Sequence, residues 1–135
     1  LATDILVMEG GSITAKGTAR DLLAQPPNEF VAQLAGLNLL KGTVTDGTFT
    51  SGEIVLPAPH VDEGAAWAAF PPTALTADRG GDLSLRAVAA VGGGDILADA
   101  GTHRLRVSAV AGDPAPGATV RCHLDHGAVS VYTRI

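Results

Sequence analysis

Hydrophobic and polar positions change their period within one stretch of the chain, residues 17–42, GTARDLLAQPPNEFVAQLAGLNLLKG. Thr18 can cap a helix that begins at Ala19, because a threonine hydroxyl accepts a hydrogen bond from an N–H group of the first turn. Pro26 and Pro27 end that helix, since proline has no N–H donor and forces the preceding residue out of the helical region. The first half of the stretch therefore predicts a short helix.

The second half of the stretch predicts another helix that starts at Asn28. Phe30, Val31 and Leu34 form an apolar stripe at spacings of three and four, as on one face of a helix. Gly36 stands where a glycine commonly ends a helix in the left-handed conformation. The apolar residues that follow alternate with a period of two, so we interpret the stretch as a junction between two domains.

The apolar segments outside this junction are short and predict β-strands. Residues 5–8 and 13–16 are separated by a glycine turn and predict a hairpin before the helices. After the helices, strands are predicted over residues 40–45, 48–56, 65–70, 83–91, 95–99, 103–110, 119–124 and 128–132. In the strand 103–110, Leu105, Val107 and Ala109 alternate with polar residues, so one face is buried and the other is wet.

Four turns are expected to close hairpins between these strands, one of them at Ala100-Gly101-Thr102 between residues 95–99 and 103–110. Asp46-Gly47 is the strongest hairpin signal in the chain. Glycines 92–94 follow a strand and precede another, so they predict a hairpin loop rather than a phosphate cradle, which requires a helix N-terminus. The segment Asp125-His126-Gly127 is expected to join the last two strands. Many short strands with glycine and proline turns predict a mainly β fold, a small barrel or sandwich.

Composition narrows the function classes further. The chain has 135 residues, a formal net charge of −5 and only nine Lys and Arg. It therefore lacks the excess of basic residues that is typical of proteins that bind nucleic acid. No apolar run is long enough to cross a bilayer, and no signal peptide opens the sequence. The single Cys122 excludes an internal disulfide and fits a reducing cytoplasm. Because the chain begins at Leu1 inside an apparent strand, we expect it to be part of a longer polypeptide.

The junction and the later segments together resemble a known protein family. Four segments in this order are similar to the C-terminal region of ATP-binding subunits of ABC importers. They are ATDILVMEGGSITAKGTARDLL, NEFVAQLAGLNLLKG, GAAWAAFPPTALTA and APGATVRCHLDHGAVSVY. The combination of AGLNLLKG with FPPTAL resembles the molybdate and sulfate branch. The resemblance implies that residues 1–36 are the end of the nucleotide-binding domain, a hairpin with two helices. It implies that residues 37–135 are an accessory TOBE domain, an OB-like (Mop-like) β-barrel.

The same resemblance implies a regulatory or dimer-stabilising role, a homodimeric partner and a membrane-spanning permease in the intact transporter. The parent would be a transport ATPase using ATP and Mg²⁺, peripheral on the cytoplasmic face of the membrane. This chain has no GxxxxGK[ST] phosphate loop, ABC signature or Walker B carboxylates. Without these groups the phosphates of ATP are neither positioned nor neutralised. We therefore expect no ATP hydrolysis by this chain alone and no cofactor bound to it.

An alternative function is that of a small module that binds molybdate, tungstate or sulfate. Binding members of the molybdate family present a Ser-x-Arg-Asn segment and a lysine, whose donors suit a dianion. The resemblance places these positions at Arg79, Gly80, Gly81, Asp82 and Asp125. The serine is thus replaced by Arg79, and the lysine by Asp125. Two acids at short range would cost a dianion on the order of 1 kcal/mol each, whereas Arg79 and the glycine amides still offer donors.

Other candidate sites have simpler interpretations. His123, Asp125 and His126 are possible zinc ligands by type, but His123 and Asp125 share a strand face while His126 lies in a turn, so we interpret them as surface residues and expect no metal. Trp67 and Phe70 are interpreted as packing residues of the core and of a dimer interface. No nucleophile elbow of the GxSxG type is present, and no acid–base constellation supports an independent enzyme.

Overall fold

The computed structural model describes residues 4–108, 110, 112 and 114–133. A hairpin of β1 (Asp4–Glu9) and β2 (Ser12–Thr18) is followed by two helices, α1 (Ala19–Ala24) and α2 (Glu29–Leu34). A first five-stranded sheet contains β3 (Asn38–Thr45), β4 (Thr48–Ser51), β5 (Ile54–Pro57), β6 (Gly64–Phe70) and β12 (Ser130–Thr133). A second contains β7 (Leu75–Ala77), β8 (Leu83–Gly92), β9 (Asp95–Ala100), β10 (His103–Val107) and β11 (Thr119–Leu124).

The two larger sheets are antiparallel and their strand orders mix distant parts of the chain. The first sheet has the order β12-β6-β3-β4-β5 and the second the order β10-β9-β8-β11-β7. The fold is mainly β, with curled antiparallel sheets that follow a hairpin and two helices, so the predicted OB-like fold class is confirmed. The longest helices in the described part of the chain have six residues, and none of them could cross a membrane.

Both helices begin as the sequence predicts. The Thr18 hydroxyl accepts a hydrogen bond from the Asp21 N–H at 3.2 Å, and the Asn28 side chain accepts one from the Val31 N–H at 2.8 Å. Each bond satisfies an N–H that has no partner within its own helix. Local side-chain chemistry therefore fixes where α1 and α2 start.

The end of α2 is also as predicted, but its buried face is not. Gly36 has a φ of 71° and the Leu37 N–H reaches back to the Ala32 carbonyl at 2.9 Å, which is a Schellman motif. Leu34, predicted within the apolar stripe, is 66% exposed, so this prediction is wrong. Burial is centred on Val31 and Ala32, and Leu34 lies about 200° around the helix axis from Ala32.

Two strand predictions are corrected by the structure. Residues 48–56 are not one strand, because Gly52 with a φ of 59° turns the chain between β4 and β5. Residues 119–124 and 128–132 do not form a hairpin. β11 pairs with β8 and β7 in the second sheet, whereas β12 pairs with β6 in the first. The short 3₁₀ turn His126–Ala128 carries the chain from one sheet to the other.

The remaining turn predictions hold. Asp46 and Gly47 have φ values of 51° and 73°, as a type I′ hairpin requires at both central positions. Glycines 92–94 all have positive φ and join β8 to β9, and β9 pairs with β10. Leu105 and Val107 are fully buried, as the alternation predicts, whereas Ala109 lies outside the described residues.

One hydrophobic core lies between the two larger sheets. Inward side chains of the first sheet, such as Leu40, Phe49 and Phe70, join the same cluster as Leu105 and Cys122 of the second. Burial at this scale supplies most of the favourable free energy of folding. A second, smaller cluster contains Leu22 and Val31 of the helices.

The helices contact the first sheet on the side opposite the core. The Tyr132 hydroxyl, on β12, donates a hydrogen bond to the Pro26 carbonyl at 2.6 Å, and this pair is buried. Lys41 of β3 forms an ion pair with Glu29 of α2. Because that pair is about half exposed, it adds little stability, and the buried tyrosine bond is the stronger link. The predicted division at residue 36 stays a prediction.

Candidate functional site

The two larger sheets meet along a seam between β3 and β10, which we define by Asn38 and Lys41 on one side and His103 and Arg106 on the other. Pairing of β3 with β4 covers only the end of β3, from Thr43 onwards. The first half of β3 therefore has no strand neighbour on that side, and it faces β10, an edge strand of the second sheet. Its backbone groups require other partners, because unpaired backbone groups are costly to bury.

Side chains supply those partners at both ends of the seam. At one end the Asn38 amide donates to the Arg106 carbonyl at 2.9 Å and accepts from the Arg106 N–H at 2.8 Å. At the other end the Lys41 N–H donates to Nε2 of His103 at 3.1 Å, and the Ser51 hydroxyl donates to the Lys41 carbonyl at 2.8 Å. The sheets are thus joined here by side-chain bonds instead of a backbone ladder.

Charges around the seam are arranged in pairs. Lys41 Nζ pairs with Glu29 and lies 5.4 Å from the centre of the Trp67 ring, a cation–π distance. Arg104 Nε lies 3.0 Å from Asp99, and the hydrogen bond and charge of that carboxylate raise the pKa of the Arg104 guanidinium.

Arg106 and Asp95 form a further pair at 2.8 Å, with the carboxylate side chain 20% exposed. The three cations of the seam region are therefore all matched by carboxylates.

Two cavities border the contact between Lys41 and His103. The larger has a volume of about 600 Å³ and lies between the β4–β5 turn, the start of β8 and the β9–β10 turn. The smaller has a volume of about 230 Å³ and lies between α2 and β10. Both contain Lys41, Thr102 and His103 in their walls.

The larger cavity has both polar and apolar groups in its walls. Its walls offer the hydroxyls of Ser51, Ser84 and Thr102 and the carboxylate of Glu53. The His103 nitrogen that would act as a base already accepts from a backbone N–H. Ser51 in turn donates to a carbonyl, so these two residues do not form a nucleophile–base pair.

Four of the predicted oxyanion residues, Arg79 to Asp82, lie in the loop before β8, where the glycine N–H groups bond within the loop. The Gly80 N–H donates to the Asp78 side chain and the Gly81 N–H to the Asp78 carbonyl, both at 2.9 Å. The Gly81 carbonyl accepts two bonds from the Arg121 guanidinium at 2.9 and 2.6 Å. Both glycine amides that an anion would need are therefore already engaged, and Arg79 is exposed.

The two acidic positions of the predicted oxyanion site lie near the same, C-terminal end of β11, because Leu83, next to Asp82, pairs with Cys122 and Asp125 directly follows Leu124. Asp82 is exposed and lines a small cavity of about 110 Å³ together with Glu53 and His126. Asp125 accepts a hydrogen bond from the Gly127 N–H at 3.1 Å and so caps the 3₁₀ turn. Anion binding by these residues stays a prediction. The carboxylates of Asp82, Asp125 and the nearby Glu53 would repel an anion there.

The other predicted residues have clear places in the fold. Phe70 is 1% exposed and belongs to the core, whereas Trp67 is half-buried on the opposite face of β6, beside Lys41 and Tyr132 in the strand register. Cys122 is fully buried, and burial raises the pKa of its thiol to about 11. A protonated, inaccessible thiol is a poor nucleophile.

Among the residues that the structure describes, no group of three or more His, Cys, Asp or Glu is placed to hold a metal ion. His123, Asp125 and His126 are all exposed.

Sequence reasoning did not identify the seam. Asn38 and Arg106 are 68 positions apart and His103 and Lys41 are 62 apart, so no local spacing connects them. One signal was present: Asn38 is a polar residue in an otherwise apolar strand run, and a buried asparagine requires partners.

Comparison with known proteins relates part of the chain to import ATP-binding proteins. No protein-family model matches the chain. Over 83 residues it is 39% identical to the molybdenum import ATP-binding protein ModC of Mycobacterium tuberculosis strains CDC 1551 and H37Rv, a segment that is 56% of this chain and 22% of ModC. Over 63 residues it is 39% identical to the oligosaccharides import ATP-binding protein MsmX of Bacillus subtilis strain 168, covering 44% of this chain and 17% of MsmX. The matched segment thus spans about a fifth of the length of these relatives.

Proposed function

We propose that the chain is the C-terminal, regulatory or dimer-stabilising part of the ATP-binding subunit of an ABC importer for molybdate or a related oxyanion. The observation that carries this proposal is the 39% identity over 83 residues to ModC. The similarity to MsmX supports the importer class but not the oxyanion, since the name of that protein refers to oligosaccharides. The permease of the importer and a second copy of the subunit are the proposed partners, at the cytoplasmic face of the membrane.

The fold is compatible with an accessory role. The described contacts stabilise the fold itself. They comprise the core between the two sheets, the charge pairs along the seam and the hydrogen bonds of Ser51 and His103 to backbone groups. The sequence of this chain contains none of the motifs that bind the phosphates of ATP. ATP hydrolysis in the intact protein would depend on a nucleotide-binding domain that adjoins the β1–β2 hairpin and the two helices.

The test uses the isolated chain in two measurements. Sedimentation velocity is expected to show a dimer that dissociates on dilution, while steady-state assays with ATP and Mg²⁺ show no turnover above background. ATP turnover by the purified chain that persists through further purification would contradict the proposed role. A strictly monomeric chain at the highest accessible concentration would contradict dimer stabilisation.

Calorimetric titration with molybdate, tungstate and sulfate distinguishes the alternative of an anion-binding module. Because the Gly80 and Gly81 amides are engaged and Asp82 and Asp125 are acidic, we expect no saturable heat with any of the three anions. Saturable binding that is lost in Arg79→Ala would replace the structural role with ligand binding.

A further inference from the structure

One of the bonds that close the seam depends on the protonation state of a side chain. The Lys41 N–H donates to Nε2 of His103, so that nitrogen must carry a free lone pair and the imidazole must be neutral, with its proton on Nδ1. A protonated imidazole has a proton on both nitrogens and would place one donor against another. Histidine is the side chain that ordinarily changes charge between pH 5 and 8.

The other end of the seam has no such dependence. Asn38 makes two bonds to the backbone of Arg106 and is 6% exposed, and an amide does not titrate in this range. The two ends therefore differ in their response to pH. The bonds between Asn38 and Arg106 persist near neutral pH, whereas the bond from the Lys41 N–H forms only with the neutral imidazole of His103.

Most charged groups on the elements around His103 form ion pairs with one another. Lys41 on β3 pairs with Glu29 on α2, and Arg104 on β10 pairs with Asp99 on β9. Glu53, on the β4–β5 turn, is the remaining carboxylate in the wall of the larger cavity. A proton on His103 adds a positive charge beside Lys41. Attraction to the carboxylate of Glu53 or Glu29 then favours rotation of the imidazolium ring away from the Lys41 N–H.

We propose that His103 is a pH-sensitive contact between the two sheets. When it is neutral, it binds the Lys41 N–H, closes the seam and separates the two cavities. When it is protonated, the bond is lost, the seam opens at the Lys41 end while Asn38 holds the other end, and the two cavities join into one groove.

The first test is a nuclear magnetic resonance titration of the ¹⁵N-labelled chain. An N–H···N bond transmits a scalar coupling between its two nitrogens, so we expect a coupling between the Lys41 nitrogen and Nε2 of His103 at pH 8 and none at pH 5. The Lys41 amide shift should follow the titration of the His103 ring, whereas the Arg106 amide, bound to Asn38, stays constant. A Lys41 amide that does not respond while the ring titrates would overturn the proposal.

The second test uses Trp67, the single tryptophan, whose ring lies under the Lys41 ammonium. Its emission is expected to change between pH 8 and 5 in the natural chain and in His123→Gln, a matched exposed histidine on β11. In His103→Gln the amide oxygen can still accept from the Lys41 N–H but does not titrate, so the change should disappear. An unaltered pH response in folded His103→Gln refutes the contact. Should that variant fail to fold, the coupling measurement on the natural chain decides alone.

Discussion

Gly81 shows how a single position can be determined by its neighbours. A Cβ atom added at this residue would lie 2.2 Å from the Cys122 carbonyl oxygen, on a backbone that cannot move aside without disturbing β11. The same glycine accepts both bonds of Arg121. Its neighbour Gly80 has room for a Cβ atom, with the nearest heavy atom 3.6 Å away. The sequence placed Gly81 in a possible anion site, whereas the structure gives it a role in packing.

Gly81→Ala is therefore expected to lower the free energy of unfolding by about 1–3 kcal/mol, the usual range for overpacking. Gly80→Ala is the matched control, one position away in the same loop, and should change the free energy of unfolding by less than about 0.5 kcal/mol. Urea unfolding of both variants measures the difference. Equal stabilities of the two variants would show that the loop adapts and that the close approach to Cys122 is not a constraint.

At the scale of the elements, local signals predicted structure well and nonlocal pairing was predicted poorly. The caps at Thr18 and Asn28 and the turn at Asp46-Gly47 depend on residues within four positions, and all are found as expected. The turn at 125–127 was also predicted. A turn signal indicates a change of chain direction but not which strands the flanking segments pair with. Which strand β11 and β12 join depends on burying Cys122 and Tyr132 against distant strands, and no short window of sequence contains that information.

The seam was beyond sequence reasoning for the same reason. Asn38 and Arg106 lie in different sheets, and the division of residues 48–56 by Gly52 leaves the first half of β3 without a strand partner on the β4 side. A strand that continued through Gly52 would have covered Lys41 with a backbone ladder. Nothing in the sequence indicated that Asp78 accepts hydrogen bonds from the N–H groups of both Gly80 and Gly81.

Docking of the helices on the first sheet gives a prediction at this scale. Tyr132→Phe removes the hydroxyl that donates to the Pro26 carbonyl and leaves that buried acceptor without this partner, at an expected cost of about 1–3 kcal/mol. Hydrogen exchange within residues 19–35 should become faster, while the core strands β3 and β6 keep their protection. Thr133→Ala, an exposed change on the same strand, should leave both regions unchanged. Unaltered exchange in residues 19–35 of Tyr132→Phe would show that the hydroxyl does not hold the helices.

At the scale of the whole molecule, the chain is an acidic, mainly β protein. Its net charge is −5, which disfavours nucleic acid as a partner. Its two sheets share one core, and the first sheet combines β3–β6 with the distant β12, whereas the second consists of β7–β11. The proposal that it is an accessory part of an importer subunit explains why part of it resembles import ATP-binding proteins while its own residues contain no phosphate-binding motif.

The most direct measurement is the composition of the native complex. An antibody against this chain is used to purify its complex, in mild detergent, from the membranes of cells that produce it, and the product is identified by mass spectrometry. The account predicts peptides of this chain within a polypeptide that also contains a GxxxxGK[ST] phosphate loop, together with a multi-spanning permease in stoichiometric amount. Recovery of the chain without a phosphate-loop polypeptide and without any permease would contradict it.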